Sequence, residues 1–457
     1  MVRWSAGEDR MRKTAVFLLI LVSFSCTLFR SKVKPYPTGV IFPLEAEGEV
    51  AFEGRVVDAL IRGEDGRIYF STDKGLLCCL DMATKQLAWC EKNASPFGSP
   101  PAVGQNRVFV WDERNVVCCF DSLGNLVWKK DIADRISSPI ARDKDRIYIG
   151  SQTGALLALS QETGETLWQF QTGGPVRAAA TFFGDSVIIG SSDGWLYFLS
   201  SEGRKKTAVN LGSPILVAPL VDGNRLYAGT EDCALHCYDL RALKRKWRIA
   251  VGGKLLASPK ADKKRVYFQT SNSVLYALNK AGGDILWWWI SPSRSPFALE
   301  FDGQNVLVAS RSPLLFSVDI RSGKTAGHYE AKAEVRSNPV WAEPDLAFAS
   351  FDPSAERGII AFLRKAMKVA ISASLPSPQP AGTDVDFTAS ATGFYLPRYE
   401  FYLRQGEERT VVQKTGESKT WSWFADKEGA YIVGVRVSDQ KQSMEAEIPY
   451  EISKKEK

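Results

Sequence analysis

The chain has 457 residues, 45% of them hydrophobic and 24% charged, a balance that suits folded domains and excludes bulk disorder. Its formal charge of +6 is spread over the whole length, without the concentrated basic face that nucleic-acid binding requires. Nucleic acid is therefore set aside as a partner.

From Met11 the chain reads MRKTAVFLLILVSFSC: two basic residues, an apolar run from Ala15 to Phe24, then Ser25 and Cys26. This is the layout of an export signal, with Met11 the expected start and residues 1–25 the expected signal peptide. The apolar run is shorter than the roughly 20 residues a membrane-spanning helix needs, so cleavage is expected rather than anchoring by the helix. A Cys after a small residue at this point resembles a bacterial lipoprotein signal, which implies lipidation of Cys26 at the periplasmic face of a membrane, although Ser23 and Phe24 depart from the usual pattern. Residues 26–37, basic and Pro-containing, read as a tether. Val40 to Glu47 reads as a strand without an obvious partner nearby.

Beyond it the chain repeats. Arg67, Arg107, Arg146, Ser186, Arg225, Arg265, Asn305 and Leu346 open equivalent runs at spacings of 40, 39, 40, 39, 40, 40 and 41 residues. In the third copy four short β-segments are expected at Ile136 to Ala141, Ile147 to Gly150, Ala155 to Leu159 and Thr166 to Phe170, separated by Asp-, Thr- and Gly-containing turns. Four strands per 40 residues is the spacing of a propeller blade. Apolar runs such as VIIG and VLYAL suit strands buried on both faces. The eighth copy supplies only Leu346 to Ser350 and Ile359 to Leu363, with no Trp-ending fourth strand. The spare N-terminal strand is expected to fill that place and to remove the open sheet edge. The resulting fold class is all-β: an eight-bladed β-propeller of four-stranded blades over residues 38–365, followed by an Ig-like or PKD-like β-sandwich over 366–457.

Aligning the copies reduces several candidate sites to packing. Cys79, Cys119 and Cys237 fall where other copies carry Ala158 and Ala277, so they read as small buried residues rather than as disulfide partners. His236 takes the place of Leu157 and Tyr276, and His328 has no cluster at ligand spacing, so no metal site is expected. Asp81, Asp121, Asp239, Asn279 and Asp319 recur just before the last turn of a repeat and read as turn caps. One recurrence points outward. The segment entering a first strand carries Arg135, Arg177, Lys254, Arg294 and Arg336, which would make a basic collar on one face, opposed by Asp73, Asp112, Glu113, Asp193, Glu231 and Asp232 in neighbouring turns.

The repeat ends carry a turn-Gly-x-x-x-Trp signature, cleanest in SQETGETLW (Ser160 to Trp168), close to it in DSLGNLVW (Asp121 to Trp128) and NKAGGDILW (Asn279 to Trp287), matched at Trp89 and Trp247, and lost at Thr207 and Gly327. This resembles the PQQ-like propeller repeat family, and within it the BamB-type outer-membrane assembly lipoproteins. The resemblance implies a non-enzymatic envelope scaffold whose partner is the barrel-assembly machinery, docking on short loops of one face. The family's Leu-Arg docking motif has its nearest counterpart in Pro175, Val176 and Arg177. The family's enzymes use PQQ with calcium, but their long insertions are absent here, so no cofactor is expected. The alternative is a carbohydrate- or peptidoglycan-binding surface protein, with Trp421 and Trp423 of the sandwich as aromatic candidates.

Overall fold

The computed structural model describes residues 44–454 apart from positions 105, 343, 344, 366, 393, 395, 396 and 440–442. The expected signal peptide, Cys26 and the tether lie outside the described residues. Among the described residues no helix is long and apolar enough to cross a membrane.

Among the described residues, seven four-stranded antiparallel sheets follow one another along the chain. They span Ile61–Lys92, Ala102–Asp131, Ala141–Gln171, Thr181–Asn210, Leu220–Ala250, Lys260–Ile290 and Glu300–Glu330, and are called the first to seventh sheets below. In each, strands pair in sequence order, so every connection is a hairpin. The third sheet shows why the sequence folds this way. Its second and third strands, Arg146–Gly150 and Ala155–Ser160, bury almost every side chain on both faces, which only a strand packed between two neighbours does. Its fourth strand, Thr166–Gln171, alternates exposed and half-buried residues, as an outer edge should.

The first strand is shorter than the sequence suggested. The ladder covers only Ala141–Arg142, and Ile136 makes a single bridge to Ser151. Pro139 has no N–H to donate, and the N–H groups of Ser137 and Ser138 both reach the Gly150 carbonyl, so a regular ladder cannot form there.

The last repeat is completed from the other end of the chain. Leu44–Glu53 pairs antiparallel with Arg357–Lys365, which pairs with Asp345–Asp352, making a five-stranded closing sheet. The expected borrowed strand is thus present, and it runs on to Glu53 rather than ending at Glu47. Four charges fasten this seam. The Asp345 carboxylate, only 2% exposed, accepts from Arg364 Nε at 2.8 Å and Nη2 at 3.1 Å, and Lys85 of the first sheet approaches it at 3.3 Å. Glu47 of the borrowed strand lies 3.5 Å from both Lys85 and Arg364.

A recurring contact joins successive sheets. The indole Nε1 groups of Trp89, Trp128, Trp168, Trp247 and Trp287 donate to the carbonyls of Ser122, Gln161, Ser201, Lys280 and Ile320, each 33 residues ahead, at 2.8–3.1 Å. Each ring lies on a glycine of the next repeat. At Gly203, with φ +80, a Cβ would stand 2.5 Å from the Trp168 ring. The registers of Trp168 are occupied by Thr207, Gly327 and Gly48 where the Trp is lost, and the glycine is lost with it: Leu243, Glu356 and Lys85 take its place, all at positive φ. Glycine is therefore there for the ring as much as for the backbone angle.

After Lys365 the chain builds two further sheets. One holds Lys368–Ala373, Thr383–Thr392 and Thr420–Ala425; the other holds Gln379–Pro380, Arg398–Gln405, Glu408–Gly416, Gly429–Ser438 and Ser443–Ser453. Val385, Phe387, Phe401, Val433 and Val435 are fully buried between them in one core. Trp421 and Trp423 stack on each other at 6.1 Å and contact Phe387 inside that core. The two rings proposed from sequence as a sugar platform are therefore packing residues.

Candidate functional site

The connections from one sheet to the next and the turns between second and third strands lie side by side. Gln152 N donates to Arg135 O, Ser271 N to Lys254 O and Arg311 N to Arg294 O, and Asp73 N to Arg55 O in the first repeat. One face of the repeat array thus gathers all the basic positions singled out from sequence. Each connection is pinned by a buried anchor residue. Val56, Phe97, Ile136, Val176, Ile215, Leu255, Ser295 and Val335 are at most 7% exposed. Val176 is fully buried against Gly150, where a Cβ would meet its side chain at 2.5 Å, so it positions the loop and presents no side chain to a partner.

Register then splits the basic set. Arg135, Lys254 and Arg294 stand one residue before their anchors, whereas Arg177 and Arg336 stand one residue after. The two groups stand two residues apart along the connection, so these five are not equivalent positions of one ring. Arg55 shares the first register and was missed, because the first repeat carries one extra residue in its following turn and the alignment by spacing passed over it.

The charges divide differently again. Arg55 pairs with Asp73 at 2.7 Å, Lys254 with Glu231 at 3.3 Å and Arg336 with Glu334 at 2.8 Å. Among the described residues Arg135, Arg177 and Arg294 make no ion pair, and all three are exposed. A continuous basic collar is not what the face presents: of these six connection residues, three are unpaired among the described residues and three are neutralised by neighbouring carboxylates. On the same face Asp58, at φ +59, has a raised pKa, caused by the surrounding protein, with the Arg311 charge acting against it.

The remaining titratable candidates are structural. His236 is 1% exposed, with Nε2 3.2 Å from Thr230 Oγ1, and burial pushes its pKa down to about 4, so the imidazole is neutral at neutral pH. Asp81, Asp121, Asp239 and Asp319 each accept backbone N–H groups two to four residues ahead through Oδ1, and Asn279 does the same for Ala281, so the turn caps are as expected. Among the described residues no three His, Cys, Asp or Glu side chains gather at metal-binding spacing. The calcium and PQQ of the family's enzymes would need such converging oxygens.

The cysteines hold one surprise. Cys79, Cys119 and Cys237 occupy the small interior slot, opposite Tyr69, Phe109 and Tyr227, and are fully buried. Cys78, however, lies directly across from Cys90 and is bonded to it. The pairing was not legible in the sequence, because nothing in the spacing shows that two residues 12 apart face each other across a hairpin. Burial pushes the thiols of Cys79, Cys118 and Cys237 up to about 11 and that of Cys119 to about 12. Among the described cysteines, alkylation of the native, unreduced protein is expected to modify Cys233 first, read by peptide mass mapping. Modification of Cys78 or Cys90 before reduction would contradict the bond.

Comparison with known proteins follows this geometry. A family model described as outer membrane protein assembly factor BamB matches residues 44–128, 114–207 and 204–366. Outer membrane protein assembly factor BamB of Shewanella oneidensis is 29% identical over 110 residues, covering 21% of this chain and 28% of the relative. That of Nitrosomonas eutropha is 23% identical over 148 residues, covering 32% of this chain and 35% of the relative. The chain thus spans about a third of the length of these relatives. A beta-alanine-activating enzyme of Danio rerio is 26% identical over 130 residues, 27% of this chain and 11% of that one. Among solved structures, BamB from Moraxella catarrhalis superposes with a TM-score of 0.60 at 16% identity, covering 70% of this chain and 99% of that one. This likeness shows the propeller fold.

Proposed function

The chain belongs to the family described as outer membrane protein assembly factor BamB, and from that membership we propose that it is a non-enzymatic scaffold of the cell envelope. In this reading the seven four-stranded sheets and the closing sheet are the blades of an eight-bladed propeller over residues 38–365, and the two later sheets are an Ig-like domain over 366–457. The protein is exported, held at the periplasmic side of a bacterial outer membrane by lipid on Cys26, and docks on the barrel-assembly machinery.

One observation carries the docking surface. Arg135, Arg177 and Arg294 share a face and have no carboxylate partner among the described residues, whereas Arg55, Lys254 and Arg336 are neutralised within the molecule. Unpaired cations beside rigid anchors are available to steer and register an acidic surface, which is the use to which charge at an interface is best suited. The disulfide between Cys78 and Cys90 supports an oxidising compartment. The glycan-binding reading has lost its aromatic candidates to the sandwich core, and no observation favours it.

The test is co-purification from envelope membranes under native detergent conditions. The wild-type chain is expected to recover components of the barrel-assembly machinery, and Arg177→Glu to reduce recovery by about tenfold, the effect of 1–2 kcal/mol at an interface charge. Equal behaviour of the two proteins, or recovery of none of these components, defeats the reading.

A further inference from the structure

We propose that the rim formed by the outer strands of the fifth and sixth sheets is a second interaction surface, one that rests on an anionic lipid bilayer. The outer strand of the sixth sheet, Ile285–Ile290, reads ILWWWI, six apolar residues in succession on an edge that faces solvent. Trp287 and Trp289 are spent inward, at 8% and 7% exposure, their Nε1 groups donating to Ile320 O and to Thr325 Oγ1 of the seventh sheet. The other four are not. Ile285 is 44%, Leu286 49%, Trp288 53% and Ile290 49% exposed, a density of large apolar side chains that a rim facing only water does not sustain.

What stands next to this strip says what covers it. The outer strand of the fifth sheet, Lys244–Ala250, reads KRKWRIA. It abuts the sixth sheet, since Trp247 Nε1 donates to Lys280 O and Trp247, Ile249 and Tyr276 pack around one cluster. Its Lys244, Arg245, Lys246 and Arg248 are all exposed. Lys246 and Arg248 pair with Asp239 and Asp232, but among the described residues Lys244 and Arg245 have no ion-pair partner, and neither outer strand contains an acidic residue. Exposed Trp and Ile beside unpaired Lys and Arg match the two layers of a bilayer surface: indole and aliphatic groups settle at the headgroup boundary, and cations are held by anionic headgroups. A second copy of the chain meeting the same rim would bring the same positive strand against its twin, and like charges at close range disfavour that contact. The inference stands apart from the docking reading, which concerns the face connections and not the rim.

Vesicle flotation of the full chain carrying Cys26→Ser, so that no acyl group substitutes for the rim, tests it. The parent is expected to float with phosphatidylglycerol–phosphatidylethanolamine vesicles and to stay behind with phosphatidylcholine vesicles. Lys244→Gln together with Arg245→Gln is expected to weaken partitioning about 30-fold, and Trp288→Ser about tenfold or more. Leu167→Ser, an equally exposed apolar residue on the rim of the third sheet, is the control and leaves partitioning unchanged. Absence of flotation by the parent overturns the proposal, as does equal flotation by all variants. Self-association in sedimentation velocity that Trp288→Ser abolishes, without vesicle binding, also overturns it and makes the strip a seam between copies.

Discussion

Replacing Trp168 by Thr is expected to destabilise the protein by about 3 kcal/mol, and replacing Gly203 by Leu by a similar amount, yet the double variant is expected to lose about 2 kcal/mol less than the sum. The first change removes a largely packed indole together with its hydrogen bond to Ser201 O at 2.8 Å. The second drives a side chain into the ring, since a Cβ at Gly203 stands 2.5 Å from it, at a φ of +80 that L-residues enter at some cost. Together they recreate the arrangement the molecule already uses between the fourth and fifth sheets, where Thr207 stands at the Trp register and Leu243 at the Gly register with φ +51. Leu243 there packs partly buried against the cluster of Ile188, Leu196 and Tyr238. A thermodynamic cycle by chemical denaturation measures the coupling. Strict additivity of the two changes would show that ring and glycine are independent, and the inter-sheet account would fail.

Opening the closing seam has the other large effect. Asp345→Ala is expected to cost about 2–3 kcal/mol and to render Leu44–Glu53 sensitive to protease while the central sheets stay resistant. Breaking a buried ion pair by removing one partner costs about 3–5 kcal/mol, and the value here is reduced because the Arg364 side chain is 44% exposed and partly screened by solvent. The carboxylate nevertheless holds two cations at once, Arg364 within its own sheet and Lys85 across the seam. Lys85, at the Gly register, also lies 5.8 Å over the ring of Phe362, the residue opposite Gly48 at the Trp register. The seam therefore substitutes charge for the aromatic contact that joins the other sheets. Denaturation midpoint and limited proteolysis report the two parts of the expectation. A variant as stable as wild type, with Leu44–Glu53 still protected, would mean that backbone pairing with Arg357–Lys365 closes the array unaided.

The sequence by itself determined the repeating unit and its closure. The 40-residue period, the apolar runs and the missing fourth strand of the last repeat are local properties of the chain, and burial on both faces leaves one register for strands of that kind. It also carried the packing roles of Cys79, Cys119, Cys237 and His236, whose positions hold Ala or Leu in other copies. What only the tertiary structure decided are relations across hairpins and between repeats. The Cys78–Cys90 bond, the seam of Asp345, Lys85 and Arg364, and the exchange of Gly for Leu243, Lys85 or Glu356 wherever a Trp is lost each join residues whose separation along the chain says nothing of their distance. The candidate face was legible as a set of basic connections and misread as a ring. The basic residues stand at two different places along the connections, and the neighbouring acidic turns decide which cations are left free.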